Sequence, residues 1–399
     1  MTKRILLFII ATVLIKSIIA QSESDVKMKL NGFGDVIYGQ PFGNSANKAT
    51  QDTFGKYGEP NYLSGMHKGF TSHGIDMLGT VSMKNNLKFQ AELNVEGSRG
   101  ADGGEIELEM ERLYLDYGIS EKFGLQVGFM FTPIGYINRN LYSRAWLMNS
   151  IRFYQAVESG AGVIPNHFVG ATAYGTFVLP KGNALSYIIG YGKARDISPA
   201  NENFANDKPG YQVAGNLEWH YTGEFEFMLG LGGYTNQVHT FNIPMFGQMV
   251  DITDSSASPL LLQELGFNPY IKYSGKLFDL LVEYTYVNTL VLQGNYPRDT
   301  KLNTLSAELA INSKIKGKRF APYVRYDFIF FPDGGGPYYG LRKVTDDVLT
   351  KVYTPNFNAI MGGIAYDISS HNRIKIEYIH HFDGPFQANG IYLQTAFGF

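Results

Sequence analysis

The last nine residues, Ile391-Tyr-Leu-Gln-Thr-Ala-Phe-Gly-Phe399, restrict the possible folds of this chain more than any other stretch. As a strand they place Ile391, Leu393, Thr395, Phe397 and Phe399 on one face, and Tyr392, Gln394, Ala396 and Gly398 on the other. A strand of this kind at the end of a chain is a bare edge that invites aggregation. It needs a partner. A buried sandwich strand could end this way, whereas in a closed barrel the last strand pairs with the first and no edge remains.

The same alternation recurs along the chain. Leu87, Phe89, Ala91, Leu93 and Val95 alternate with Lys88, Gln90, Glu92, Asn94 and Glu96, and Ile374, Ile376 and Tyr378 with Arg373, Lys375 and Glu377. Sixteen such segments, from 26–38 to 387–399, predict an all-β chain. The connections after even-numbered segments are short, as at Lys84-Asn85, Pro180-Lys181-Gly182 and Ser369-Ser370. Those after odd-numbered segments are long, as at 39–69, 132–165, 236–263 and 332–354; the last, near Asp383-Gly384-Pro385, is short. Tight turns at one end and free loops at the other are the mark of a transmembrane antiparallel up-and-down β-barrel of about 16 strands. Greek-key sandwiches have no reason to show it.

Cost then decides which face meets lipid. An ionised side chain held in hydrocarbon costs several kcal/mol, so Lys88, Glu92, Arg112, Asp279, Glu283, Arg325, Asp327, Lys375 and Glu377 are expected to line the interior. A barrel of this width is not filled by its own wall side chains and leaves an aqueous channel.

Residues 1–20 read as a secretory signal: Lys3 and Arg4, an apolar core from Ile5 to Ile15, and Ile18-Ile19-Ala20 before Gln21. Residues 21–399 then form the barrel. With Lys3, Arg4 and Lys16 removed, 31 basic residues face 36 acidic ones, a formal charge of −5 that offers nothing to nucleic acid. There is no cysteine for a lipid anchor or a disulfide. Mean hydropathy is only −0.13 and no later run is long enough for a membrane-spanning helix, which excludes a helical membrane protein.

The segment Phe123-Gly-Leu-Gln-Val-Gly-Phe-Met-Phe131, followed by Thr132-Pro133-Ile134-Gly135 and preceded by Glu111-Arg112-Leu-Tyr-Leu-Asp-Tyr117, resembles the porins of Gram-negative outer membranes. It is similar in particular to the phosphate-selective porin O/P-like group, where a Val-Gly pair and Thr-Pro-x-Gly end a strand before the loop that enters the pore. The terminal Phe resembles the insertion signal of outer-membrane barrels. The run of lysines and arginines linked with phosphate capture in that group is not evident here. The resemblance implies localisation in the outer membrane, contact with its lipid, a homotrimer, passive passage of ions or small hydrophilic solutes, and a third outer loop folded inward.

If 132–165 enters the lumen, Arg139, Arg144 and Arg152, against Glu158, would favour anions. Tyr142 and Trp146 would share the constriction, and they, with Tyr136, Phe153 and Tyr154, could give sugars a stacking surface. Alternatively the rings pack the loop on the wall and the arginines pair with wall carboxylates such as Glu92 or Asp327. Nucleophile-elbow, zincin and phosphate-loop motifs are absent, and His380 and His381 would point to opposite faces. Asp251, Asp254 and the Asp346-Asp347 pair could hold Ca2+ in outer loops but read better as solvated loop charge, and Gly334-Gly335-Gly336 reads as a turn. No catalytic residue, metal or cofactor is expected. The chain reads as a passive diffusion channel; the other reading is a non-channel barrel, an adhesin or enzyme acting through its outer loops.

Overall fold

In the computed structural model the chain forms one antiparallel sheet closed on itself. The structure describes residues 26–42, 69–72, 74–98, 105–141, 147–151, 154, 157, 164–193, 210–241, 259–293, 300–330, 332, 357–382 and 389–399. The first strands are β1 (Val26–Phe42), β2 (Gly69–Thr71), β3 (Ile75–Met83), β4 (Leu87–Ser98), β5 (Glu105–Ser120) and β6 (Phe123–Phe131). A short helix α1 (Tyr136–Asn140) precedes β7 (His167–Leu179), β8 (Asn183–Lys193), β9 (Tyr211–Thr222), β10 (Glu226–Phe241), β11 (Pro259–Ser274) and β12 (Phe278–Gln293). The circuit ends with β13 (Thr300–Ile311), β14 (Ser313–Ile315), β15 (Lys318–Phe330), β16 (Phe357–Asp367), β17 (Asn372–His381) and β18 (Asn389–Gly398).

These eighteen segments make a sixteen-strand barrel. β13 and β14 both pair with β15 in one register, Asn303 opposite Phe330 and Ser313 opposite Phe320, so they are one strand interrupted at Asn312. There the Asn312 amide donates to the Gly275 carbonyl (3.0 Å) and accepts from Arg319 Nε (3.2 Å). β2 and β3 both pair with β1, but the register slips by one residue between Ile37–Thr71 and Gly34–Ile75. Ser72 Oγ fills the break, donating to the Asp35 carbonyl at 2.7 Å and accepting the Gly74 N–H at 3.0 Å. β18 pairs with β17 and, from Phe33–Gly398 to Phe42–Asn389, with β1, which closes the ring.

The short connections gather at one end. Asn85-Asn86, Lys181-Gly182 and Lys316-Gly317 each hold two successive residues at positive φ, the mirror-image turn whose twist suits a tight hairpin. The connections at the other end span 43–68, 99–104, 132–166, 194–210, 242–258, 294–299, 331–356 and 383–388, and most of their residues lie outside the described set. So do the expected signal at 1–20, Gly334–Gly336 and the loop aspartates 251, 254, 346 and 347.

The barrel is inverted relative to a soluble protein. On β17, Ile374, Ile376 and Tyr378 are 44%, 43% and 42% exposed, while Arg373, Lys375 and Glu377 are 7%, 0% and 0% exposed. β18 repeats the pattern, with Ile391 and Leu393 outward and Tyr392 and Gln394 buried. Such an outer face is stable only against hydrocarbon. Near the turn end, the rings of Tyr221, Phe225, Tyr273 and Phe278 touch in sequence at centroid distances of 5.0, 5.4 and 4.7 Å, an aromatic belt suited to a membrane interface. The buried apolar cluster combines Ile134, Ile137, Met148, Ile151 and Val157 with inward residues of the wall such as Leu262, Val287, Met361 and Ile379.

Candidate functional site: the charged inner face and the segment after β6

β6 ends at Phe131, and the chain is turned at once by backbone and side-chain bonds. The Thr132 N–H donates to the Asn166 carbonyl (2.8 Å), and the Asn138 amide donates to the carbonyls of Thr132 (3.0 Å) and Asn166 (3.2 Å). Gly135 then takes φ +67 before α1. This turn needs glycine twice over: left-handed backbone disfavours a Cβ, and a Cβ here would fall on the Glu283 carboxylate, with Asn268 Oδ1 at 3.1 Å. Glu283, on β12, accepts the N–H groups of Tyr136 and Ile137 at 2.9 Å each and the Asn268 amide at 3.1 Å. Two N–H groups that a helix start leaves unpaired are thereby satisfied by a wall carboxylate.

Arg139, at the end of α1, forms an ion pair with Glu218 of β9 at 2.7 Å. Glu218 also accepts from the Tyr270 hydroxyl and lies 3.2 Å from His220 Nε2. Lys272 Nζ stands 5.1 Å over the Tyr136 ring. This corner, with Arg139, His220 and Lys272 all part-exposed, joins the segment to β9 and β11.

Farther along, residues 148–151 and Tyr154 meet the opposite strands. The Ile151 N–H donates to Glu377 (3.1 Å), Lys375 Nζ donates to the Ser150 carbonyl (2.9 Å), and Arg373 donates to the Met148 carbonyl (3.2 Å). Arg325 bonds Ser150 Oγ, pairs with Asp327 at 3.0 Å and lies 4.5 Å over the Tyr154 ring. The Asn149 amide donates to Glu308 at 2.9 Å, and the Tyr154 hydroxyl lies 3.4 Å from the same carboxylate. Burial, reinforced by Glu308, pushes the Tyr154 phenol well above its ordinary pKa and keeps it a neutral donor. Buried Arg and Lys are tolerable here because each has carbonyl, hydroxyl or carboxylate partners.

Of the residues expected to line the interior, Glu92 and Arg112 pair with each other, as do Arg325 and Asp327. Asp279 pairs with Arg319 at 3.1 Å, Glu283, Lys375 and Glu377 hold the segment, and Lys88 is exposed at the turn end. Arg139 does pair with the wall, but through Glu218; Glu92 and Asp327 are taken by arginines of their own or a neighbouring strand. Tyr142, Arg144, Trp146, Arg152, Phe153 and Glu158 lie outside the described residues. His381 is buried and His380 faces the other way, 4.8 Å from the Phe382 ring. The sequence reading missed Glu218 and Glu308, although the signal was there: each is a single carboxylate flanked by apolar residues, Leu217 and Trp219, Ala307 and Leu309.

A closed antiparallel barrel, apolar outside and charged within, defines the class: a transmembrane β-barrel. No family model matches the chain. An uncharacterised protein of Aquifex aeolicus (strain VF5) is 32% identical over 126 residues, which cover 26% of this chain and 28% of that protein. Among solved structures, the anion-selective porin from Comamonas acidovorans aligns over 94% of this chain and 100% of its own, with a TM-score of 0.57 and 11% identity. The trimer form of OmpT, an outer membrane protein of Vibrio cholerae, aligns over 94% and 100% with a TM-score of 0.53 and 11% identity. The outer membrane channel DcaP of Acinetobacter baumannii aligns over 95% and 99% with a TM-score of 0.52 and 11% identity. At such identities the likeness is one of fold.

Proposed function

We propose that the chain is an outer-membrane diffusion channel for small hydrophilic solutes, narrowed by 132–166 folded into its lumen. One observation carries the reading. A segment that leaves β6 and returns at β7 bonds to Glu218 on β9, Glu283 on β12, Glu308 on β13 and Glu377 on β17. A path across the interior accounts for all four bonds at once. The turn end then faces the periplasm. Residues 1–20 act as the export signal, and the protein works as a homotrimer, a reading that the fold likeness to a trimer-form protein supports. No chemistry and no cofactor enters.

Selectivity at the constriction is weak in this reading. Arg139 is neutralised by Glu218, which leaves Arg144 and Arg152 as the anion-favouring element beside Tyr142 and Trp146. Pure protein in a planar bilayer is expected to give stepwise ion conductance, and liposomes containing it are expected to swell in small sugars. Absence of both would overturn the channel and favour a barrel that acts through its outer loops.

A further inference from the structure

At the turn end, where water reaches the inner face, the charge is basic. Lys27 and Lys29 on β1 and Lys88 on β4 are exposed, and strand alternation puts them on the face of Asp35 and Glu92. The registers gather them: Lys27 stands opposite Ser82 and Ser82 opposite Lys88, while Lys29 stands opposite Thr80 and Thr80 opposite Gln90. With strands about 4.8 Å apart, Lys27 and Lys88 are rooted about 10 Å from each other, and Lys29 lies one pleat higher. Among the described residues none of the three is in an ion pair. Asp116, opposite Lys88, accepts the Tyr174 hydroxyl at 2.5 Å; that neutral donor leaves its charge in place, so it offsets one of the three lysines and the group carries a net of two positive charges. Glu23 and Asp25 precede β1 in sequence, outside the described residues.

Deeper cations are committed. Arg112 holds Glu92, Arg325 holds Asp327, Arg373 holds Asp367 at 2.6 Å, and Lys375 holds the Ser150 carbonyl. Among the described residues, the basic charge offered to a permeant ion is therefore concentrated at the turn-end mouth.

We propose that Lys27, Lys29 and Lys88 make conduction asymmetric by gathering small anions at the turn-end mouth, so that current is larger when that side is negative. The proposal rests on the channel reading. In that polarity anions enter through the basic mouth, cations leave against it, and ion density in the lumen rises. The opposite polarity depletes it. A net of two charges acting over about 10 Å at 0.1 M salt enriches monovalent anions nearly twofold at that mouth. At 1 M the screening length falls to about 3 Å and the enrichment vanishes.

The test uses the full mature chain in planar bilayers of KCl at both polarities. The chain has no cysteine, so Ser370→Cys in the turn 368–371, modified by an impermeant charged thiol reagent added from one side, marks the orientation of each insertion. The expected current ratio is about twofold at 0.1 M and close to one at 1 M. Lys27→Glu/Lys29→Glu/Lys88→Glu should invert the ratio at 0.1 M while leaving conductance at 1 M unchanged. Should the triple variant not assemble, Lys88→Gln alone is expected to remove about half of the asymmetry. An open channel with symmetric current at 0.1 M, or a ratio indifferent to these substitutions, overturns the lysine proposal alone. No conductance at 1 M overturns the channel reading and this proposal with it.

Discussion

Replacing Gly135 by Ala tests how the segment after β6 is held. Alanine at φ +67 costs about 1 kcal/mol in backbone strain. Its Cβ would also occupy the site of the Glu283 carboxylate, which must then release the N–H groups of Tyr136 and Ile137. A hydrogen bond to a charged group contributes about 1.5–3 kcal/mol, and part of each loss is recovered from water once the segment lifts. The docked arrangement is accordingly expected to lose about 2–4 kcal/mol, which multiplies the undocked population roughly 30- to 700-fold. None of the bonds lost belongs to the β-ladder, so the barrel should assemble normally. Single-channel recording in 1 M KCl is the assay: the variant should flicker between the native level and a larger one, and 132–166 should become susceptible to protease. Glu283→Ala should flicker similarly, and adding it to Gly135→Ala should bring little more, because both remove one contact. A Gly135→Ala channel as quiet and as protease-resistant as the wild type would refute the reasoning.

Three further outcomes follow from the same geometry. Leu393→Arg puts a cation on the lipid face near mid-strand and should lower stability by about 2–4 kcal/mol in urea-driven unfolding from lipid vesicles; an unchanged midpoint would contradict the outward placement. Arg139→Ala leaves Glu218 without its ion pair beside the part-exposed His220, and should shift the reversal potential in a KCl gradient toward cations. A shift toward anions would contradict the neutralising role of that pair. Gly32→Val should hinder assembly, since a Cβ there would fall within the Phe399 ring whose backbone exchanges two bonds of 2.9 Å with Gly32; folding yield into detergent or vesicles reads it directly.

Alternation was enough to place the strands because the sheet has two different solvents on its faces, so every residue reports its side. Lys375 between Ile374 and Ile376 leaves little choice. What the sequence did not disclose was interruption. Asn312 splits one strand through side-chain bonds to Arg319 across the hairpin and to Gly275, 37 residues away, and Ser72 covers the slip between β2 and β3 through Asp35. The site was legible by halves. Glu283, Arg325, Lys375 and Glu377 were recognisable as inward charges, but nothing local tells that Glu283 meets the start of α1 or that Glu377 meets Ile151, separations of 146 and 226 residues. Such contacts exist only once the wall has curved round.

The seam between β1 and β18 carries a consequence for how the molecule comes into being. Ten residue pairs there join the two strands farthest apart in the polypeptide. Until the last strand is made, β1 presents unsatisfied amides along half its length, and no stretch of the chain written earlier can permanently relieve them. Contacts of such sequence separation are slow to form, so the unfinished sheet has a long interval in which to stick to a stranger. Closure is a race that this protein enters with both raw borders open, and whatever shepherds it to the membrane must hold those two strands apart from other chains until they find each other.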